Sequence, residues 1–240
     1  MMIHRALCLL LLLVIGMSPQ ASGGRMGPKT VVLVRHAESE ENVKVAAARE
    51  GLSRIQRFQL PSSSQLWKTL QLIPMHTDAP VSAAGRDQID LVSQQLMKDK
   101  FVENFDPELI CHSPLQRARD TCYGMFPLGS TQKEYTVLDC LTEISPIELM
   151  FARKRLDERI SIFEQWLSSR SETRLIVVGH SRFFKRMLDM DSLLDNCALL
   201  KCSFYPTELT SKWKIHGVLY SPTIPHASQI SHTQDNEECS

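Results

Sequence analysis

The sequence predicts an α/β fold, a mainly parallel central sheet with helices on both faces. Three observations predict it. Short apolar runs alternate with longer amphipathic segments along the chain. Residues 30–35 (TVVLVR) and 174–178 (RLIVV) are apolar on both pleat faces, as strands covered on both sides are. Strand and helix patterns also follow one another singly, which favours crossover connections and hence parallel pairing.

After the first strand, residues 38–49 read as a helix with acids in its first turn, where the helix dipole favours them. Residues 51–80 show no clear period and contain Pro61, Ser62-Ser63-Ser64 and Pro74. A short helix over 65–72 fits inside this stretch, which reads as an excursion over the sheet's upper edge, where substrate loops tend to lie. Residues 82–100 form an amphipathic helix with Ile89, Val92, Leu96 and Met97 towards the core. A second strand follows at 107–111, a helix at 115–125 and a third strand at 135–139. The next helix spans 146–169, with Pro146 in its first turn, where proline is tolerated. After the strand at 174–178 a helix opens at Ser181 and runs to 188. Residues 198–204 and 213–219 read as late strands, and 221–240 as a polar, loose tail.

The first 23 residues stand apart. One cation lies in Met1–Arg5, then the apolar run ALCLLLLLVI, then Pro19 and the small residues Ala21-Ser22-Gly23. This three-part pattern predicts a secretory signal peptide, with an organelle leader or an uncleaved anchor as alternatives. The run is shorter than the about 20 residues a membrane span needs, so no stable span is expected after cleavage. The remainder, 24–220, suits one domain with one core.

Lys+Arg and Asp+Glu are equal at 27 each, so no nucleic-acid footprint is expected. Cys8 leaves with the leader. Cys111, Cys122, Cys140, Cys197, Cys202 and Cys239 remain, an even number that permits disulfides in an exported chain, but several sit inside apolar runs and read as buried free thiols. None forms a CxxC pair, and the late histidines His216, His226 and His232 are too scattered for a ligand set, so no metal and no cofactor is expected.

The chemistry lies at the strand ends. The first strand ends in Arg35-His36, the second runs into His112-Ser113-Pro114-Leu115-Gln116-Arg117, the third leads into Glu143 and the fourth ends in Gly179-His180. In α/β sheets ligands sit beyond the carboxyl ends of the strands. Two histidines and two arginines around one point make a site for a dianion, because guanidinium pairs bidentately with phosphate oxygens. A neutral imidazole among cations is a nucleophile. Glu143 is the candidate acid to protonate a leaving alkoxide. His112 reads as a supporting residue at most. Arg182, Lys185 and Arg186 read as a solvated helix face.

Arg35-His36-Ala37-Glu38-Ser39 with Asn42 resembles the RHGE-S-x-x-N signature of the histidine phosphatase superfamily, in its phosphoglycerate-mutase-like branch. The resemblance continues in order through Asp78-Ala79-Pro80-Val81-Ser82 with Gly85 and Gln88, Ser113-Pro114-Leu115-Gln116-Arg117-Ala118 with Thr121, Leu141-Thr142-Glu143, Val178-Gly179-His180-Ser181 and Asn196-Cys197-Ala198. It implies the three-layer α/β/α fold of that family. It also implies a phosphomonoesterase acting on a phosphorylated small molecule or phosphoprotein. His36 would be the phosphorylated nucleophile, Glu143 the acid and base, and Arg35, Arg117 and His180 the phosphate ligands, with Asn42 on the substrate side. Ala37 and Ser181 stand where the family has Gly. The stretch after Glu143, Ile144-Ser145-Pro146-Ile147, departs from the family pattern, so Asp139 and Glu148 stay open as alternative acids. A mutase of the same family and a catalytically silent binding protein are the alternative functions. The short Glu143–His180 segment and the leader favour hydrolysis.

Overall fold

A computed structural model describes residues 27–44, 78–127, 134–143, 153–208 and 212–222. The expected leader, the 65–72 helix, Glu148 and all but the first two residues of the tail lie outside the described residues.

Six strands form one sheet in the order β3-β2-β4-β1-β5-β6. They are β1 (Lys29–Arg35), β2 (Leu109–His112), β3 (Thr136–Val137), β4 (Arg174–Gly179), β5 (Leu199–Phe204) and β6 (Trp213–Tyr220). The first four run parallel; β5 and β6 add an antiparallel pair of couplings beside β1. The helices are α1 (Ala83–Lys98), α2 (Phe101–Phe105), α3 (Gln116–Met125), α4 (Arg153–Ser169) and α5 (Ser181–Leu188). Residues 40–44 form a further helical turn. No described helix is long and apolar enough to cross a membrane.

Alternation along the strands divides the core. Val31, Leu33, Leu175 and Val177 pack with Leu156, Phe163 and Leu167 of α4 and Phe183 and Phe184 of α5. Val32, Val34, Ile176 and Val178 face the other way, onto Ile89, Val92 and Leu96 of α1 and Ala118, Cys122 and Met125 of α3. Each buried side chain of this size stabilises by about 1.5–3 kcal/mol. Both faces of β1 and β4 are therefore dry, which is why their sequences carry no polar alternation. The architecture is the expected three-layer one.

Several local expectations are corrected. Met97 is exposed, because it lies one residue past Leu96 and so turns about 100° from the buried stripe. The first long helix stops at Lys98, since Lys100 takes a left-handed conformation (φ 50°), and the short α2 follows it. The third strand has only two residues, because the chain winds at Asp139–Leu141 into a 3₁₀ turn. The second starts at Leu109, two residues after Pro107, which has no N–H for a ladder. Cys111, Cys122, Cys140, Cys197 and Cys202 are free thiols, and all but Cys140 are buried.

Gly85 couples α1 to the first strand's exit loop. Ser82 caps the helix by accepting from Gly85 N–H at 3.0 Å, and donates its own N–H to Glu38 O at 2.9 Å. A Cβ on Gly85 would lie 2.1 Å from Glu38 O and 2.7 Å from Val81 Cγ1. Alanine normally favours a helix over glycine, yet here the clash is with backbone. Gly85→Ala is predicted to cost about 1–3 kcal/mol, seen as a lower urea midpoint at unchanged slope. Wild-type stability in that variant would contradict the close approach.

Candidate active site

Four strands bring their carboxyl ends to one edge. His36 follows β1, Ser113 follows β2, Glu143 follows the 3₁₀ turn after β3, and His180 follows β4 and caps α5. The His36 and His180 rings meet with centroids 5.0 Å apart and planes at 58°. His180 Nδ1 lies 3.7 Å from Glu143 Oε2. His36, His180 and Arg117 are buried.

The loop carrying His36 is held at nearly every backbone polar atom. His36 N–H donates to Gly179 O at 3.0 Å, and Asn196 Nδ2 donates to His36 O at 2.8 Å. Ala37 N–H donates to Thr121 Oγ1 at 2.9 Å, and Thr121 donates in turn to Arg117 O at 2.6 Å. Glu38 N–H donates to Gln88 Oε1 at 2.9 Å. Gln88, Thr121 and Asn196 stand in the sequence motifs, but their task is invisible there because their partner is backbone. Ala37, in place of glycine, packs fully buried among Val34 and Ala118.

The His36 tautomer follows from one contact. Nδ1 lies 2.6 Å from Ala37 O, and a carbonyl only accepts, so Nδ1 carries the hydrogen. Nε2 is left with its lone pair. Burial, then Arg117 and Arg35, holds the His36 pKa well below its ordinary value of 6.5. His180 is lowered likewise, by burial first, then His36, Arg117 and Arg35. Both rings are neutral at pH 7.

The cations are partly anchored. Arg35 NH1 donates to Leu194 O at 2.6 Å, while its buried Nε–H meets no acceptor among the described residues. Arg117 NH1 lies 3.3 Å from Glu41 Oε2. Asn42 is engaged with Ser39, accepting from Ser39 N–H at 3.1 Å and Ser39 Oγ at 2.9 Å; its carbonyl thus caps the 40–44 turn. Of the alternative acids, Asp139 is exposed on the 3₁₀ turn. His112 is buried, with Nδ1 donating to Ser113 O at 2.8 Å and its ring against Tyr123 and Tyr135. Lys185 is bonded to Asp191 O, and Arg186 pairs with Asp157 at 2.8 Å, so these two cations are held by the protein itself.

Ligand atoms of His36, Glu143 and His180 lie within 4.8 Å of one another. Two guanidinium groups beside the set oppose a cation. The same arrangement suits an anion: two forked cations and two neutral imidazoles converge at one buried edge of the sheet.

No family model matches the chain, and no curated protein matches it. Among solved structures it is similar to mycobacterial hydrolase 2, at 14% identity over 86% of this chain and 97% of that one, TM-score 0.50. It is also similar to the protein histidine phosphatase SixA complexed with tungstate, at 12% identity over 79% and 95%, TM-score 0.47. A third is phosphoserine phosphatase from Entamoeba histolytica in complex with 3-phosphoglyceric acid, at 16% identity over 80% and 98%, TM-score 0.46. At these identities the likeness is one of fold.

Two buried histidines with lowered pKa make stability depend on pH. Unfolded, each binds a proton near pH 6.5; folded, each resists it. Above pH 6.5 neither state gains a proton. Below it the unfolded chain does, so stability falls as pH drops from 6.5 towards the folded values. The urea midpoint at pH 5.5 is predicted to lie below that at pH 7.5, with a shallower fall in His180→Gln. An unchanged slope in that variant would contradict a neutral buried His180.

Proposed function

We propose that this chain is a phosphomonoesterase of the histidine phosphatase superfamily, hydrolysing a phosphate ester through a phosphohistidine on His36. The observation that carries the reading is the His36 ring itself: neutral, fixed through Nδ1 to Ala37 O, and leaving Nε2 unbonded between two arginines and a second imidazole. The ordered motifs and the fold support it.

In the first step the Nε2 lone pair attacks phosphorus and the bond to the ester oxygen breaks. The phosphoryl charge spreads over three equatorial oxygens. Arg35, Arg117 and the His180 Nδ1 edge offer donors to those oxygens, already oriented and out of water. The Arg35 Nε–H is one such donor; left without an acceptor in a buried place it costs about 1–3 kcal/mol, which a phosphoryl oxygen would recover. Glu143 delivers a proton to the departing alkoxide. In the second step water attacks the phosphohistidine, Glu143 takes a proton from it, and His36 is released neutral.

Hydrolysis is favoured over phosphate return to a second hydroxyl. The span from Glu143 to His180 is short, and its described elements, α4 and β4, are core elements.

Glu143→Gln tests the proton transfer. A general acid contributes about 10²–10⁴-fold, and only where the leaving group needs protonation. The variant is predicted to lose about 10²-fold or more in kcat on alkyl phosphates and less than about tenfold on 4-nitrophenyl phosphate. Equal losses on both would remove Glu143 from the acid role and bring Asp139 and Glu148 forward.

A further inference from the structure

We infer that Ser113 sets the tautomer of His180, so that Nδ1 presents a hydrogen to the phosphate; the inference deepens the proposed function and rests on it for its catalytic meaning. Ser113 is fully buried at the end of β2. Its Oγ lies 2.9 Å from His180 Nε2. Either atom could donate. Proton accounting at this one contact decides which does.

Suppose His180 carried its hydrogen on Nε2 and donated to Ser113. The serine hydroxyl hydrogen would then need another acceptor, and none lies in reach among the described residues. The bare Nδ1, 3.7 Å from Glu143 Oε2, would then meet a phosphoryl oxygen lone pair against lone pair, since both are acceptors.

The opposite arrangement satisfies Ser113 and Nε2 and leaves the imidazole hydrogen for a ligand. Pro114 has no N–H, and the next residue, Leu115, donates its N–H to Ser113 Oγ at 3.4 Å. Ser113 then donates its hydroxyl hydrogen to Nε2 of His180. The imidazole hydrogen is thereby placed on Nδ1, a buried atom with no hydrogen-bond partner of its own, on the Glu143 side of the ring. A short relay results, Leu115 N–H to Ser113 O–H to His180, ending in an N–H directed at the anion. It mirrors His36, where a carbonyl on Nδ1 leaves Nε2 bare. One ring is fixed as nucleophile and its neighbour as donor, by opposite contacts. Ser113 is thus a positioning residue: it touches His180, and the orientation of His180's hydrogen is its product.

The direct test is ¹⁵N NMR of the histidine rings in the full chain at pH 7, with His180→Gln assigning the signals. The wild type should show His180 Nδ1 protonated and Nε2 bare. In Ser113→Ala that preference should be lost, and affinity for inorganic phosphate and kcat/KM should each fall roughly tenfold, the loss of one oriented hydrogen bond. Ser113→Thr should keep both the tautomer and the affinity. A wild-type His180 protonated on Nε2 overturns the inference, and needs no variant to be seen. So does a Ser113→Ala chain that keeps the Nδ1–H form and full phosphate affinity. The failure of the phosphatase reading looks different: no ester turned over, while the His180 tautomer still depends on Ser113.

Discussion

The hydrogen bond from His36 Nδ1 to the carbonyl of Ala37, 2.6 Å long, fixes which nitrogen can react, and much of the structure serves to hold its two ends still. A ring bonded to its own neighbour's carbonyl is only as steady as that stretch of backbone. The backbone is steadied from four directions, by Gly179 on β4, Thr121 on α3, Gln88 on α1 and Asn196 ahead of β5. A strand, two helices and the segment ahead of β5 thus converge on one loop. Backbone groups buried without partners are costly, so each of these contacts both stabilises the fold and sets the position of His36.

The electrostatics follow from the same placement. Burial alone disfavours a charged imidazole, and two guanidinium groups add to it. The arginines are themselves costly to bury, and Glu41, Glu143, Asp195 and the Leu194 carbonyl offset part of that cost. A site with two half-buried or buried guanidinium groups, neutral imidazoles and a buried Arg35 Nε–H without an acceptor among the described residues favours an anion. That is the condition under which binding energy falls on a phosphoryl group as its charge spreads in the transition state.

Much of this was legible in the sequence. β1 and β4 are apolar on both faces, so their central place was visible from composition alone. The convergence of His36, Arg117, Glu143 and His180 was readable because each ends or follows a strand, and parallel strands share an edge. Local detail was less legible. Phe101–Phe105 is too short to show a period, and Thr136–Val137 is cut off by a 3₁₀ turn that leaves no sequence signature. Met97 looked apolar and core-facing, but helical phase puts it in water. Within the site, Ser113, Thr121, Gln88 and Asn196 stood in recognisable motifs without a role. Three of them bind backbone and one binds a ring nitrogen, and neither partner is written in the identity of a residue.

The central claim is that His36 accepts the phosphoryl group through Nε2. Rapid quench of the full chain with a ³²P-labelled aryl phosphate measures it directly. A phosphoramidate is labile in acid and stable in base, the reverse of a phosphoserine. The account predicts base-stable, acid-labile label on the peptide containing His36, and neither label nor turnover in His36→Ala. Label on His180, or full turnover in His36→Ala, would contradict it.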